Sequence, residues 1–321
     1  MLDQFGRTID YLRISVTDRC NLRCVYCMPE SGVPALSHGD ILTFEEILRI
    51  ARCAADLGIR KIRVTGGEPL VRRGVTDLIA GLAAIPGIES LTLTTNGLLL
   101  EKQLSALVQA GITGINLSLD TLDSARFRAI TRRDGLPAVL SALQAAVATG
   151  LPVKINCVPI AVNRDELPAI AGLARDLPVA VRFIEMMPIG LGRENRGLTQ
   201  DEVLAILNLL DLQPDPTPRG AGPAVYYTLP GYQGPIGFIS AVSHAFCENC
   251  NRVRLTADGV LKSCLNYQGS LNVKSLLRSG CTDAALTQAL AGAIHAKPRR
   301  HDFDQIPSIL TETRKMSGIG G

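Results

Sequence analysis

The sequence predicts an α/β fold: a partial (βα)6 TIM-type barrel over residues 1–215, followed by a smaller α+β segment over 216–321. Three observations predict it. Short runs of β-formers alternate with helical stretches from Tyr11 to about residue 210. Polar and glycine residues gather just after the β-runs, where a parallel βα architecture builds its sites. The alternation then stops at 213–223, where four prolines and two glycines read as a linker.

The elements follow in order. Tyr11 to Val16 alternates and is rich in β-formers, so it is the first strand. Thr43-Phe44-Glu45-Glu46 reads as a capping box opening a helix to about Leu57, with Gly58 placed to stop it. Strands follow at Lys61–Thr65, Ser90–Thr95, Gly114–Leu119, Pro152–Val158 and Ala180–Met186. Helical patterns follow at Val75–Ala84, Glu101–Ala110, Ser124–Ile130 and Pro137–Ala148 and after each of the last two strands. That makes about six units, not eight, which favours a partial barrel over a closed one. Beyond the linker come short strands at Tyr226–Leu229 and Ile236–Ser240 and a helix near Thr282–Ala296. A basic stretch (Lys297 to His301) and a glycine-rich tail end the chain, and by composition Ser317–Gly321 reads as disordered.

The 321 residues are 46 % hydrophobic and 20 % charged, enough to bury a large core. A net charge of +3 is too small for a nucleic-acid coat or a polybasic membrane anchor, so an anionic ligand must be met by locally placed Arg and Lys. Met1–Asp10 lacks the apolar run of a signal peptide, and no stretch reaches about 18 uninterrupted apolar residues. A cytoplasmic protein without membrane or nucleic-acid partners is expected. In a reducing compartment its nine cysteines are metal ligands or buried hydrophobes rather than disulfides.

The cysteines divide into two triples and three singles. Cys20, Cys24 and Cys27 fall within eight residues, too tight for pairing among themselves and odd in number. An iron–sulfur cubane takes four thiolates, so three leave one iron open. Zinc completed by His38 is the rival reading, weakened by spacing unlike the paired Cys-x-x-Cys hook. Cys247, Cys250 and Cys264 form the second triple, a Cys-x-x-Cys pair and a third thiol across an Ala257-Asp258-Gly259 turn. Zinc with His244 is a fairer rival there. Arg252 and Arg254, on one face of a strand beside these thiols, favour an anionic ligand, since an arginine fork binds phosphate bidentately. Cys53, Cys157 and Cys281 read as inert buried thiols.

Cys20-x-x-x-Cys24-x-Tyr26-Cys27, with Gly66-Gly67-Glu68-Pro69 ending the next strand, resembles the radical S-adenosylmethionine superfamily. The resemblance implies a [4Fe–4S] cluster on this triple whose open iron chelates S-adenosylmethionine, with Tyr26 against adenine and the Gly-Gly-Glu loop near the methionine ammonium. Further segments narrow it: Leu12–Cys20, Lys61–Leu70, Leu93–Gly97, Asn116–Asp120, Arg182–Met187, the Cys247–Cys264 block and a terminal Gly320-Gly321. In this order they resemble the GTP 3′,8-cyclase family, lyases of molybdenum-cofactor biosynthesis. That resemblance implies a second [4Fe–4S] cluster on Cys247, Cys250 and Cys264, with GTP on its open iron. Matching positions for GTP are Arg13, Arg63, Thr94, Lys154, Arg252, Val253 and Arg254, with Lys61 and Arg182 as further candidates. For S-adenosylmethionine they are Tyr26, Gly67, Ser118 and Met187. No catalytic side chain is implied beyond the cofactors, Arg252 and Arg254 being the candidates. The implied reaction converts GTP to 3′,8-cyclo-7,8-dihydroguanosine 5′-triphosphate through a 5′-deoxyadenosyl radical. Implied partners are an electron donor and a downstream cyclic pyranopterin monophosphate synthase, with room left for a homodimer. In the resembling family the terminal Gly-Gly reaches the active site, so Gly320 and Gly321 join the candidates. A peptide-modifying radical enzyme and a non-catalytic zinc protein are the rival readings.

Overall fold

The computed structural model describes residues 1–320 apart from 35, 210, 218 and 304–310. The expected alternation is present. Strands β1 (Tyr11–Ser15), β2 (Lys61–Thr65), β3 (Ser90–Thr95), β4 (Gly114–Ser118), β5 (Val153–Cys157) and β6 (Val179–Ile184) lie parallel and in sequence order. Helices α1 (Phe44–Asp56), α2 (Val75–Ala83), α3 (Leu100–Gln109), α4 (Ser124–Thr131), α5 (Leu136–Ala148), α6 (Leu167–Asp176) and α7 (Gln200–Leu207) follow the strands. The Thr43 capping box is formed at the start of α1, with Thr43 N donating to Glu46 at 2.8 Å and Glu46 N to Thr43 Oγ1 at 3.2 Å. Such a cap contributes about 1 kcal/mol. Ile47, Ile50, Ala51 and Ala54 of α1 are buried at helical spacing, and each isoleucine contributes about 1.5–3 kcal/mol.

Further strands flank the six βα units. In the later chain β7 (Gln213–Asp215), β8 (Val225–Thr228) and β9 (Ile236–Ile239) add to one edge of the sheet. At the other edge stand β10 (Arg252–Leu255), β11 (Val260–Lys262) and β12 (Leu271–Asn272). Strand β9 pairs parallel with β6 and β10 parallel with β1, so among the described residues eight parallel strands run side by side. The sequence places strands at both positions, Ile236–Ser240 and the segment of Arg252 and Arg254, but their parallel pairing with β6 and β1 comes from the fold, since no βα rhythm surrounds them. Phe183 and Phe238, in register and 5.9 Å apart at their ring centroids, fasten β9 to β6. The supposed linker includes β7, a short edge strand where Pro214 costs no interior hydrogen bond.

Helices α8 (Val273–Arg278), α9 (Asp283–His295) and α10 (Met316–Ile319) complete the α+β segment. The last is not what its composition suggests. Ser317 and Ile319 are buried. Among the described residues no helix is long and apolar enough to cross a membrane.

Two-residue periodicity sorts the strand side chains. Leu12 and Ile14 enter the hydrophobic core, while Tyr11 and Arg13 line the interior cavity. Ile62 and Val64 likewise belong to the core, and Arg63 and Thr65 to the cavity wall.

Candidate active site

The first triple hangs from the end of β1, and its loop is held mainly by backbone contacts. Arg23 donates to the carbonyls of Cys20 at 2.6 Å and Leu22 at 2.8 Å. Backbone N–H groups of Arg23 and Val25 bond to Thr131 and Ile130 at the end of α4. The two glycines after β2 have a steric reason. A Cβ on Gly67 would stand 2.3 Å from the carbonyl oxygen of Arg19, and one on Gly66 2.8 Å from that of Thr17. Only bare backbone lets this loop seat the chain entering the cysteines, with Gly67 N on Thr17 O at 2.7 Å.

Glu68 fastens the next loop. Its carboxylate accepts from Asn96 N at 2.7 Å, Thr95 Oγ1 at 2.8 Å and Leu70 N at 3.1 Å, and burial pushes it up to about 7. Tyr26 Oη donates to Asp120 at 2.6 Å, and Asp120 also accepts from Val158 N at 2.8 Å. Burial raises Asp120 to about 6. The ring of Tyr26 is therefore fixed by a buried carboxylate at the end of β4.

The second triple lies on the segment joining β9 to β10 and on the loop after β11. Glu185, at the end of β6, accepts from Val242 N at 2.8 Å, Ser243 N at 2.9 Å and Gln200 N at 3.2 Å, and also from the Ser243 hydroxyl. It thereby anchors the chain leading to Cys247. Arg7 donates to the carbonyls of Cys247 at 2.9 Å and Pro298 and Arg299 at 2.7 Å, and pairs with buried Asp3 at 2.6 Å. Lys297 donates to the carbonyls of Arg252 at 2.9 Å and Ser263. The sequence singled out nothing at Arg7, Lys297 stood only in a basic stretch, and Glu185 only inside a matching segment. A carboxylate directly after a buried strand whose one other charge is Arg182 was the available signal for Glu185.

All six thiols line one cavity. Their electrostatics differ. Burial pushes Cys27 up to about 12 and raises Cys20 and Cys24. At Cys250 burial acts the same way, but Arg252 and Lys297 outweigh it and bring the thiol down to about 6. Among the described residues no three His, Cys, Asp or Glu side chains are arranged to hold a single metal ion. His38 and His244 are exposed and line no part of the cavity, which removes the fourth ligand each zinc reading invoked.

The same cavity is lined by Tyr26, Gly67, Ser118 and Met187 and by Arg13, Arg63, Thr94, Arg182, Arg252 and Arg254. Arg182 is buried and donates to Asn116 Oδ1 at 2.6 Å and Asn156 Oδ1 at 2.5 Å. Lys154 and Lys61 lie instead in a second cavity at the ends where the strands begin, together with Arg219. Tyr11 and Arg63 line both, so the cavities adjoin along the barrel interior. Lys61 pairs with Asp10 at 2.7 Å, while Lys154 donates to the Arg219 carbonyl. Alternation turns the Val253 side chain into the hydrophobic core, on the opposite face of β10 from Arg252 and Arg254. The Gly320 carbonyl accepts from Arg254 at 2.8 Å, and Gly321 lies outside the described residues.

A curved parallel sheet with three thiols on the loop after its first strand, beside a glycine pair that seats that loop, defines a radical S-adenosylmethionine enzyme. The comparisons agree. The Radical SAM superfamily model matches residues 14–174, and the Molybdenum Cofactor Synthesis C model matches 179–303. GTP 3′,8-cyclase of Heliobacterium modesticaldum is 48 % identical over 333 residues, and that of Moorella thermoacetica 46 % over 326, each covering 100 % of both chains. The chain belongs to the GTP 3′,8-cyclase family. Among solved structures, Streptococcus suis SuiB bound to S-adenosylmethionine superposes with a TM-score of 0.61 at 15 % identity, covering 90 % of this chain and 68 % of that one. That likeness concerns the fold.

Proposed function

We propose that this chain converts GTP to 3′,8-cyclo-7,8-dihydroguanosine 5′-triphosphate in one cavity that holds two [4Fe–4S] clusters, one on each cysteine triple. The observation that carries the reading is that both triples and the inward arginines line a single space. Three thiols without a fourth are the donor set of a cubane with one open iron, and cubane ligands stand farther apart than those of one ion, in keeping with the absence of a single-ion site among the described residues. Cys20, Cys24 and Cys27 would hold the first cluster, which, once reduced, would supply the electron for cleavage of S-adenosylmethionine and so for removal of the ribose 3′ hydrogen.

The protein's part is binding, orientation and exclusion of water. Tyr26, pinned by Asp120, offers a fixed face for adenine. Glu68 is engaged by three protein donors, so the glycine loop meets an ammonium through backbone carbonyls, and Ser118 and Met187 close that side. Arg252 and Arg254 rise beside the second triple, where GTP sits. Thr94 Oγ1 is buried with no partner among the described residues and is left for the substrate. Arg13, Arg63 and Arg182 lead down the interior to Lys154 and Lys61, the path for the triphosphate. We assign the partial-barrel unit to 1–215 and the second-cluster unit to 216–321, whose β9 and β10 extend the parallel sheet at its two edges. An electron donor and the enzyme that rearranges the product are the partners this chemistry requires.

Lys154 gives the reading a pH signature. Burial, with Arg182, Arg63 and Arg219 nearby, brings its ammonium down to about 7. Above that pH the empty site loses this charge, and a bound phosphate restores it. GTP affinity is therefore expected to fall between about pH 6 and pH 9, with proton uptake on binding near neutrality. Calorimetry in buffers of different ionisation heat measures the uptake, and Lys154→Met should flatten the profile; a profile equally steep in the variant removes Lys154 from the site.

Metal analysis of anaerobically reconstituted protein tests the cofactor assignment. About eight irons with matching sulfide and no stoichiometric zinc are expected for two cubanes. A colourless zinc protein ends the reading.

A further inference from the structure

The tail is held at two points by neighbouring cations of one hairpin. Arg254 on β10 and Lys262 on β11 are cross-strand partners. Arg254 donates to the carbonyl of Gly320 at the tip of the tail, at 2.8 Å. Lys262, with its side chain fully buried, forms an ion pair with Glu312 at the base of the tail and also donates to the Tyr267 carbonyl. Glu312 is itself 2 % exposed. Its other oxygen accepts from Arg314 N at 2.8 Å and Thr313 N at 3.0 Å, and its N–H donates to Asn266 O at 2.7 Å. Arg314 extends the group to Asp258, in the turn between β10 and β11, at 3.4 Å.

A buried lysine and glutamate need a reason to be there. Desolvation makes such a pair a poor source of net stability, whereas removal of one partner strands the other charge. The pair joins two segments 50 residues apart, one two residues before Cys264 and the other four residues before α10. We infer that Lys262 and Glu312 form a latch that seats the C-terminal tail and, through the Gly320 contact, sets the position of Arg254 in the substrate cavity. Both are positioning residues. The latch works with the proposed GTP site and rests on that reading for its consequence, though not for its existence. With it closed, Arg254 has one neighbour fixed by the tail. With it open, the tail withdraws and Arg254 loses the carbonyl that orients it.

The test uses full-length holoenzyme, anaerobically reconstituted. Glu312→Gln retains an oxygen for the Thr313 and Arg314 N–H groups but ends the ion pair. Lys262→Met/Glu312→Gln does the same without leaving a buried unpaired ammonium, and it serves if the single variant folds poorly. Release of terminal residues by a carboxypeptidase, followed by mass spectrometry, should be faster than in the parent by roughly tenfold or more in either variant. KM for GTP should rise by a similar factor while S-adenosylmethionine affinity and iron content stay unchanged, a split that general destabilisation would not produce. Lys262→Arg, which keeps the ion pair, should protect the tail as the parent does. A tail equally protected in both disrupted variants overturns the latch, and so does a released tail with unaltered KM for GTP. If the parent itself forms no product from GTP, the functional reading fails. Protection of the tail still reports on the latch, because that assay contains no substrate.

Discussion

Serine at Cys24 is expected to abolish 5′-deoxyadenosine formation altogether, whereas serine at Cys250 should leave some and abolish only the cyclised nucleotide. The asymmetry follows from the placement of the triples. Cys24 stands with Cys20 and Cys27 beside Tyr26 and the glycine loop, the side assigned to S-adenosylmethionine. A serine hydroxyl ionises far less readily than a thiol and is a poor ligand for iron, so the first cluster and the cleavage it drives are lost together. Cys250 stands beside Arg252 and Lys297, which already favour its thiolate. Its loss should free the guanine end of GTP while the first cluster keeps its three thiolates. Anaerobic assays of both products, with iron near four per chain in each variant, separate the cases. Equal loss of 5′-deoxyadenosine in the two variants would contradict the division of labour.

The second large effect is expected at the tail. Gly320 has φ +87°, and a Cβ there would stand 2.7 Å from the Cβ of Ser15 on β1. Valine is both strained in that backbone region and too large for the space. Gly320→Val should withdraw the carbonyl from Arg254 and lower kcat/KM for GTP by roughly 100-fold, the scale of losing one preorganised contact in a water-excluded site. Ile319, though buried, stands outside the main hydrophobic core, so the unfolding temperature should barely move. Initial rates together with a melting curve check both statements, and full activity in the variant would remove the tail from the mechanism.

The sequence carried the six βα units because alternation is a local property, legible one strand at a time. It could not carry the parallel pairing of β9 and β10 with β6 and β1, which depends on chain segments far away. The cysteines and the arginine pair were legible because residue type and spacing encode their chemistry directly. Lys61 and Lys154 were placed with the arginines by resemblance, yet they sit deeper, since strand register rather than residue type fixes depth in a barrel. Lys262, Glu312 and Lys297 look like surface charges in a sequence, and only tertiary contacts reveal them buried. The tail misled in the same way. Its glycines suit disorder, and Gly320 suits equally well a close approach to Ser15.

The most direct measurement is the fate of deuterium from GTP labelled at the ribose 3′ position, followed by mass spectrometry under anaerobic reducing conditions with S-adenosylmethionine. One deuterium is expected in 5′-deoxyadenosine, with 3′,8-cyclo-7,8-dihydroguanosine 5′-triphosphate formed without it. Unlabelled 5′-deoxyadenosine, or labelled 5′-deoxyadenosine with no cyclised nucleotide, would contradict the proposed function.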